Sequence, residues 1–299
     1  MIKKFNVMIE PTNRCNIKCI TCFSHQDGRS KRDIMFKEFK YFIDENLDLL
    51  GSISLYNYGE PLLNPDLWNM VKYAKYNGLK HIKIATNGLL LDNKQVLEAL
   101  KSGLDYLSIS LDGATEKTYK KFRIGGDFEN VIFNIRNLVK KRNTFGSKLG
   151  VEVQFIIMRH NEHEMETMKS LCRKLGVDIL RFKTLLIKKR RWAYLLPLNK
   201  AFNRYRIKQR AEITCLKPLK ELVVNSDGTV IPCCYITEAA IRKMSLGDAF
   251  KRPLREIIAS SKYINFAQRC LTDKTKIGCC KFCQEGNLPL TYKIVHLRS

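Results

Sequence analysis

Eleven cysteines punctuate this 299-residue chain, and most of them gather in two groups. The first group reads Glu10-Pro-Thr-Asn-Arg-Cys15-Asn-Ile-Lys-Cys19-Ile-Thr-Cys22-Phe23, three thiols spaced by four and three residues directly after the apolar run Phe5 to Ile9. A loop leaving a strand can wrap such a triplet round one metal centre. Three thiolates leave a four-position centre one ligand short. Closed structural sites fill every position, whereas reactive ones keep one open. The second group begins at Cys215, continues through Cys233-Cys234 and Cys270, and ends in Cys279-Cys280-Lys-Phe-Cys283.

The elements that must position the triplet come next. From Phe5 to about Phe182 short apolar runs alternate with longer stripes at helical spacing. The predicted strands are Asn6–Glu10, Ser52–Tyr56, His81–Ala85, Tyr106–Leu111, Val151–Ile157 and Ile179–Phe182. Gly78, Gly103 and Gly176 each close a predicted helix before the next strand. Six strand–helix repeats imply parallel pairing through right-handed crossovers, too few for a closed eight-stranded barrel, so the expectation is an α/β fold built as an open, partial (β/α)6 TIM-like barrel. Chemistry in such a fold lies at the C-terminal ends of the strands. There the chain places the cysteine triplet, Gly59-Glu60-Pro61, Thr86-Asn87-Gly88 and Ser108-Ile-Ser110-Leu-Asp112-Gly113, with Gln154 inside the fifth strand. Each of these is also an ordinary turn sequence. Met165, Met168 and Cys172 read as core, and His160 and His163, flanking a helix start, as surface.

Composition bounds the rest. With 45% hydrophobic residues the chain can bury a large core. It has no apolar run near eighteen residues, and its Met1-Ile-Lys-Lys start is unlike a signal peptide, so a soluble, cytoplasmic protein is expected. That compartment keeps thiols reduced, which excludes a disulfide scaffold. The formal charge is +24, and residues 181 to 210 hold eleven Lys or Arg and no Asp or Glu. Either the faces are simply lysine-rich, or an anionic partner docks there: a phosphorylated sugar, an acidic peptide, a membrane surface or nucleic acid. Lys188-Lys-Arg-Arg-Trp192-Ala-Tyr194 mixes aromatics with cations, as surfaces for membranes or stacked bases do.

Taken in order, Cys15-x-x-x-Cys19-x-x-Cys22, Gly59-Glu60-Pro61, Thr86-Asn87-Gly88, Ser110-x-Asp112-Gly113 and Tyr119-x-x-x-Arg123 resemble the radical S-adenosylmethionine (SAM) superfamily over most of the first 185 residues. The resemblance implies a 4Fe-4S cluster on Cys15, Cys19 and Cys22 whose open iron takes SAM. It implies SAM contacts from the backbone at Gly59 and Glu60, from Ser110 and Arg123, and from Asn87 and Gln154. It also implies reductive cleavage to a 5′-deoxyadenosyl radical, hydrogen abstraction from a substrate, and an electron donor such as flavodoxin or ferredoxin. One departure stands out: the residue before the third cysteine, bulky and packed on adenine in the family, is Thr21 here, leaving Phe23 as a substitute.

Beyond Arg210 the periodicity changes. Leu222-Val-Val-Asn225-Ser-Asp-Gly228-Thr-Val-Ile-Pro-Cys233 reads as a hairpin, and a helix follows near Pro253 to Ser261. Cys215, Gly228-x-x-x-x-Cys233 and Cys280-x-x-Cys283 resemble the SPASM/twitch auxiliary-cluster domain. This implies a second 4Fe-4S cluster on Cys215, Cys233, Cys280 and Cys283, with Cys234 or Cys279 able to replace a neighbour and Cys172 and Cys270 structural. The expected organisation is a barrel over 1–185, a basic connector over 186–210 and an auxiliary-cluster domain over 211–299. No leader-peptide-binding domain is evident before residue 5, so the expected substrate is a small sugar or alcohol, with a peptide as the alternative. Asp227, Glu238 and Asp248 are candidate bases by location, although turns and caps explain them equally well. The competing reading is a non-catalytic adaptor, zinc- or nucleic-acid-binding, because a four-cysteine zinc ribbon has much the same signature.

Overall fold

A computed structural model describes residues 4–25, 28–205, 213–236, 243–281, 283 and 291–298. The chain forms two compact units, one of Met1–Cys15, Phe23–Ile82 and Arg210–Leu288, the other of Asn16–Cys22, Lys83–Gln209 and Pro289–Ser299. The α/β class holds. Strands β1 (Phe5–Ile9), β2 (Leu50–Leu55), β3 (Ile82–Thr86), β4 (Tyr106–Ser110), β5 (Gly150–Ile157) and β6 (Ile179–Thr184) alternate with helices, each within two residues of its expected position.

In the first unit β1 pairs in parallel with β2 and, on its other side, with β7 (Glu221–Val224). The expected hairpin is present: β7 runs antiparallel to β8 (Thr229–Ile231), which pairs with β9 (Gly247–Asp248). Its turn needs a left-handed residue, and Gly228 supplies it at φ +84°. The cysteine-rich segment therefore shares a unit with β1 and β2; position 185 falls inside the second unit, which runs on to Gln209, and the first unit resumes at Arg210. Strand alternation explains the layering. Phe5, Val7 and Ile9 of β1 and Ile53 and Leu55 of β2 are buried, while Asn6, Met8, Ser52 and Ser54 between them keep access on the opposite face. Helices α1 (Phe36–Asn46) and α2 (Leu67–Tyr76) bury Phe39, Phe42, Ile43, Met70 and Val71, which recur at helical spacing. The helix expected near Pro253 is α7 (Leu254–Ala259), followed by α8 (Ser261–Thr272), whose N-cap Ser260 accepts from the Tyr263 N–H.

In the second unit β3, β4, β5 and β6 are parallel neighbours, and a strand not foreseen from sequence, β10 (Thr291–His296), adds antiparallel to β6. Helices α3 (Asn93–Lys101), α4 (Glu116–Phe122) and α5 (Phe128–Thr144) start on the side-chain caps Asp92, Thr115 and Asp127. Helix α6 (Met165–Leu175) ends on Gly176 at φ +71°. Met168 and Cys172 are core as expected, and burial pushes the Cys172 thiol up to about 12, which keeps it an inert thiol. His163 is exposed, but His160 is half-buried with an Nε2 that has no hydrogen-bond partner, a correction to its surface reading.

The same strands carry a charged cluster. Glu152, 1% exposed, accepts from Lys83 Nζ (2.9 Å) and Ser108 Oγ (2.8 Å) on one oxygen and from Arg181 on the other (2.6 and 2.9 Å). Burial alone would raise this carboxyl, but the bonds from Arg181 and Lys83 outweigh it and hold it at about 2. The stabilisation is thus complete above the ordinary value of 4.5 and is lost as pH falls from there through about 2. Urea unfolding of Glu152→Gln is expected to show lower stability at neutral pH by about 3–5 kcal/mol and a flatter acid dependence than the native chain. An equal acid slope in both proteins would refute the assignment.

Candidate functional site

The triplet loop leaves the end of β1 and is half-buried at all three thiols. In the second unit its Lys18 N–H donates to Ile124 O (2.9 Å) and its Ile20 N–H to Phe122 O (3.3 Å), so the end of α4 splints it. Arg123 follows that helix. Its Nε and Nη2 bind Asp112 Oδ2 at 2.7 and 2.5 Å, and its Nη1 points at Cys19 Sγ at 3.5 Å. Asp112 is fully buried and held in turn by the Ile156 N–H (2.7 Å), while its carbonyl takes the Asn161 amide (3.0 Å). Burial works against the Arg123 charge, but Asp112 and Cys19 overcome it and raise the guanidinium above its usual range. Burial likewise pushes the Cys19 thiol up, with Arg123 opposing. Arg123, expected to contact SAM, has two of its nitrogens on Asp112 and the third toward Cys19.

The other expected contacts divide into two kinds. Ser110 and Gln154 are register neighbours on β4 and β5, both half-buried, and neither side chain bonds to another described residue. Polar groups placed like this suit a ligand. Asn87, 5% exposed, is used internally: its Nδ2 donates to Asn16 Oδ1 in the triplet loop (2.7 Å) and its Oδ1 accepts from the Leu89 N–H (3.0 Å). In the first unit, Gly59 lies against the start of the triplet loop, where a Cβ would sit 1.9 Å from Thr12 O, and the Glu60 N–H donates to Arg14 O (2.7 Å). Only glycine permits that approach. The Glu60 carboxylate is buried and caps the short 3-10 helix Pro61–Leu63 through the Leu62 N–H. Phe23 is buried edge-on against Tyr58, with ring centroids 6.0 Å apart.

Sequence reasoning missed two anchors. Glu10, fully buried after β1, accepts from Arg29 at 2.7 and 3.0 Å, from the Ser226 N–H at 3.1 Å and from the Tyr58 N–H at 3.4 Å. One carboxylate thereby ties the triplet loop's far side, the Gly-Glu-Pro loop and the hairpin turn to one strand end. The signal was an acid between an apolar strand and a proline. Glu164 does the same in the second unit, accepting from the Ala114 N–H and from the hydroxyls of Thr115 and Thr118.

Several of the C-terminal cysteines come together. Cys215, Cys233, Cys280 and Cys283 line one small, apolar-walled cavity with Pro218 and Phe266, and Lys217 and Lys274 stand at its edge. The Tyr235 N–H approaches Cys233 Sγ at 3.5 Å and Lys274 Nζ binds Cys283 O at 2.9 Å. Four thiols round one cavity, with cations and an N–H nearby, fit a thiolate-held cluster. Among the described residues no three His, Cys, Asp or Glu side chains are closed to metal-holding distance. Cys270, read as structural, is 1% exposed and lines the same cavity as a fifth thiol. Cys279 is exposed. Asp227 and Asp248 hold turns through the Thr229 and Phe250 N–H groups, as the bland reading had it, and Glu238 lies outside the described residues. In the basic segment Trp192 is buried and Arg204 is 1% exposed with Thr184 as partner, so those two are not surface for a membrane or stacked bases; Tyr194 is exposed. No described helix is long and apolar enough to cross a membrane.

Comparison with known proteins identifies this arrangement. Residues 9–172 match the radical SAM superfamily and residues 215–284 the SPASM iron-sulfur cluster-binding domain. A probable GTP 3′,8-cyclase of Methanococcus maripaludis is 30% identical over 178 residues, 58% of this chain and 57% of that protein. An Fe-coproporphyrin III synthase of Methanosarcina barkeri is 30% identical over 171 residues, 56% of this chain and 41% of that one. The chain thus spans about half the length of these curated relatives. Among solved structures, BtrN in complex with AdoMet and 2-DOIA aligns over 99% of this chain and 100% of its own at TM-score 0.62 and 19% identity. Streptococcus suis SuiB bound to S-adenosylmethionine aligns over 95% and 73% at TM-score 0.70 and 17% identity; both likenesses are of fold. With more than half of its length matched, the chain belongs to the radical SAM superfamily and carries a SPASM domain, and its cofactors are 4Fe-4S clusters and SAM.

Proposed function

We propose that this radical SAM enzyme carries out a net oxidation of a small sugar-like or other alcohol substrate, with one cluster on Cys15, Cys19 and Cys22 and an auxiliary one on Cys215, Cys233, Cys280 and Cys283. The observation that carries the reading is the convergence of the four C-terminal thiols on one enclosed cavity. A second, fully thiol-held centre suits electron transfer rather than SAM binding. When bound, SAM and its cluster supply a 5′-deoxyadenosyl radical that takes hydrogen from an unactivated carbon.

The chain's own residues have separate tasks. Ser110 and Gln154 offer uncommitted polar groups to SAM, and Gly59 lets its loop close on Thr12 at the start of the triplet loop. Asn87 holds the triplet loop through Asn16, and the Asp112–Arg123 pair fixes the splint beside Cys19. Electrons come from a one-electron donor such as flavodoxin or ferredoxin. The relatives' names cover a nucleotide cyclase and a porphyrin synthase, and only about half of either is matched, so their substrates are not transferred.

Anaerobic reconstitution with iron, sulfide, SAM and dithionite, followed by a mass-spectrometric screen of alcohols, amino-sugars and peptides, tests this. The expected outcome is a brown, oxygen-sensitive protein that forms 5′-deoxyadenosine and a product lighter by two hydrogens. A colourless zinc protein that forms no 5′-deoxyadenosine would sink the proposal.

A further inference from the structure

Lys274 is 3% exposed and, among the described residues, the one buried lysine of a chain rich in them. An ammonium taken out of water needs an opposite charge or strong hydrogen bonds in its place. Two other buried cations have the usual remedy: Arg123 is held by Asp112 and Arg142 by Asp178. Among the described residues no carboxylate holds Lys274. Its Nζ donates to the Cys283 carbonyl (2.9 Å), while the adjoining Asp273 has its carboxylate on the Thr275 N–H (3.0 Å) and on Lys276 (3.9 Å). What Lys274 does line is the cavity of Cys215, Cys233, Cys280 and Cys283.

The chain fixes the lysine there. Helix α8 ends at Thr272, and Asp273 caps a short 3-10 helix, Lys274–Lys276, that begins with the lysine. The Lys274 N–H donates to Ile213 O (2.7 Å), two residues before Cys215, and its carbonyl accepts from the Ile277 N–H (3.0 Å), three residues before Cys280. Held by its backbone on both sides and by Nζ at Cys283, Lys274 keeps its charge against the thiols. Lys217, the other cation at the cavity, differs: it is partly exposed and paired with Glu221 at 3.0 Å, so that pair adds no net charge. Four thiolates round an iron–sulfur core carry a net negative charge, which grows on reduction. A fixed positive charge at an apolar-walled cavity therefore favours the reduced state, and does so more strongly than the same charge in water.

We propose that Lys274 is the counter-charge of the auxiliary cluster and raises the potential at which that centre accepts an electron. The inference deepens the proposed function and rests on it for the use of that potential. In the oxidation of an alcohol, the carbon radical left by hydrogen abstraction becomes a carbonyl by losing its hydroxyl proton to water and one electron to the auxiliary centre. Lys274 acts on that electron through the cluster, as a positioning residue. Its charge then has the partner that the protein itself does not supply.

An EPR-monitored redox titration of the reconstituted full chain tests this, following the iron–sulfur signal that does not change when SAM is added. Lys274→Met removes the charge. Lys274→Gln removes it too but keeps a donor for Cys283 O, and carries the test should the methionine variant misfold. Both are expected to lower the equilibrium constant for one-electron reduction of that centre at least tenfold, a potential more negative by about 59 mV. Lys274→Arg keeps the charge and should stay near the native potential. The double variant Lys217→Met/Glu221→Gln, which removes a pair of no net charge at the same cavity, should move the potential less than half as far. Iron content is expected to remain native throughout. A shift in the methionine variant with none in a folded glutamine variant, an equal shift in the double variant, or no shift at all would overturn the proposal. So would loss of the auxiliary iron from both neutral variants, which would make Lys274 a strut for Cys283 rather than a charge on the cluster. 5′-Deoxyadenosine formation from SAM and dithionite is scored on the same samples: if the native chain forms it while no variant shifts the potential, only the role of Lys274 is wrong, and if the native chain does not form it, the proposed function falls whatever Lys274 does.

Discussion

Replacing Cys15, Cys19 and Cys22 together by alanine is expected to reduce 5′-deoxyadenosine formation to background and to lower iron from about eight to about four atoms per chain. The argument is one of geometry and supply. The three thiols sit on a loop of eight residues that is fastened along its length, through Lys18 and Ile20 to the end of α4 and through Asn16 to Asn87. A loop so held cannot recruit a distant cysteine in place of a lost one. Cys172 is sealed in the core. The C-terminal four keep their own cavity, which is why half of the iron should remain. Iron analysis and anaerobic turnover of SAM read the two effects independently. A triple variant that still forms the nucleoside, or that loses all of its iron, would show that the cysteines are not divided in this way.

The strands, the order of the polar loops and the four-thiol cavity were legible in the sequence because each rests on a local pattern. Alternation fixed β1 to β6, and glycine punctuation ended the helices. What was not legible depends on pairing across the chain. Strand β10 has an unremarkable sequence with Lys293 and His296 in it, and exists because β6 offers an open edge and because Arg298 reaches Asp178 (3.1 Å). Strand β7 was seen as half of a hairpin, but nothing local says that its other edge joins β1. The same limit explains the anchors. Glu10 has its partners at positions 29, 58 and 226, and no spacing rule connects these. Arg123 stands out from a motif as a SAM contact; only the fold adds Asp112 and Cys19 beside it. Residues whose value lies in distant partners are the ones a one-dimensional reading leaves incomplete.

Arg123→Leu is expected to have the second large effect, and its two consequences separate structure from tuning. Asp112 has no solvent exposure, so removing its guanidinium strands a buried charge, a loss of about 3–5 kcal/mol in unfolding free energy. The companion change Asp112→Asn removes that charge, and the double variant Asp112→Asn/Arg123→Leu should recover most of the stability, since breaking a buried pair costs more than deleting it. The second consequence does not recover. Arg123 Nη1 lies 3.5 Å from Cys19 Sγ, and a donor bearing positive charge beside a cluster thiolate favours the reduced form. Both the single and the double variant should therefore show a more negative reduction potential for the SAM-binding cluster in an EPR-monitored titration, with the auxiliary signal unmoved. Arg123→Lys keeps the charge but not the fork that spans Asp112 and Cys19, and should fall between. If the double variant regains stability and native potential together, Arg123 serves only to balance Asp112. If potential shifts while stability is restored, the residue positions a charge for the chemistry of the triplet.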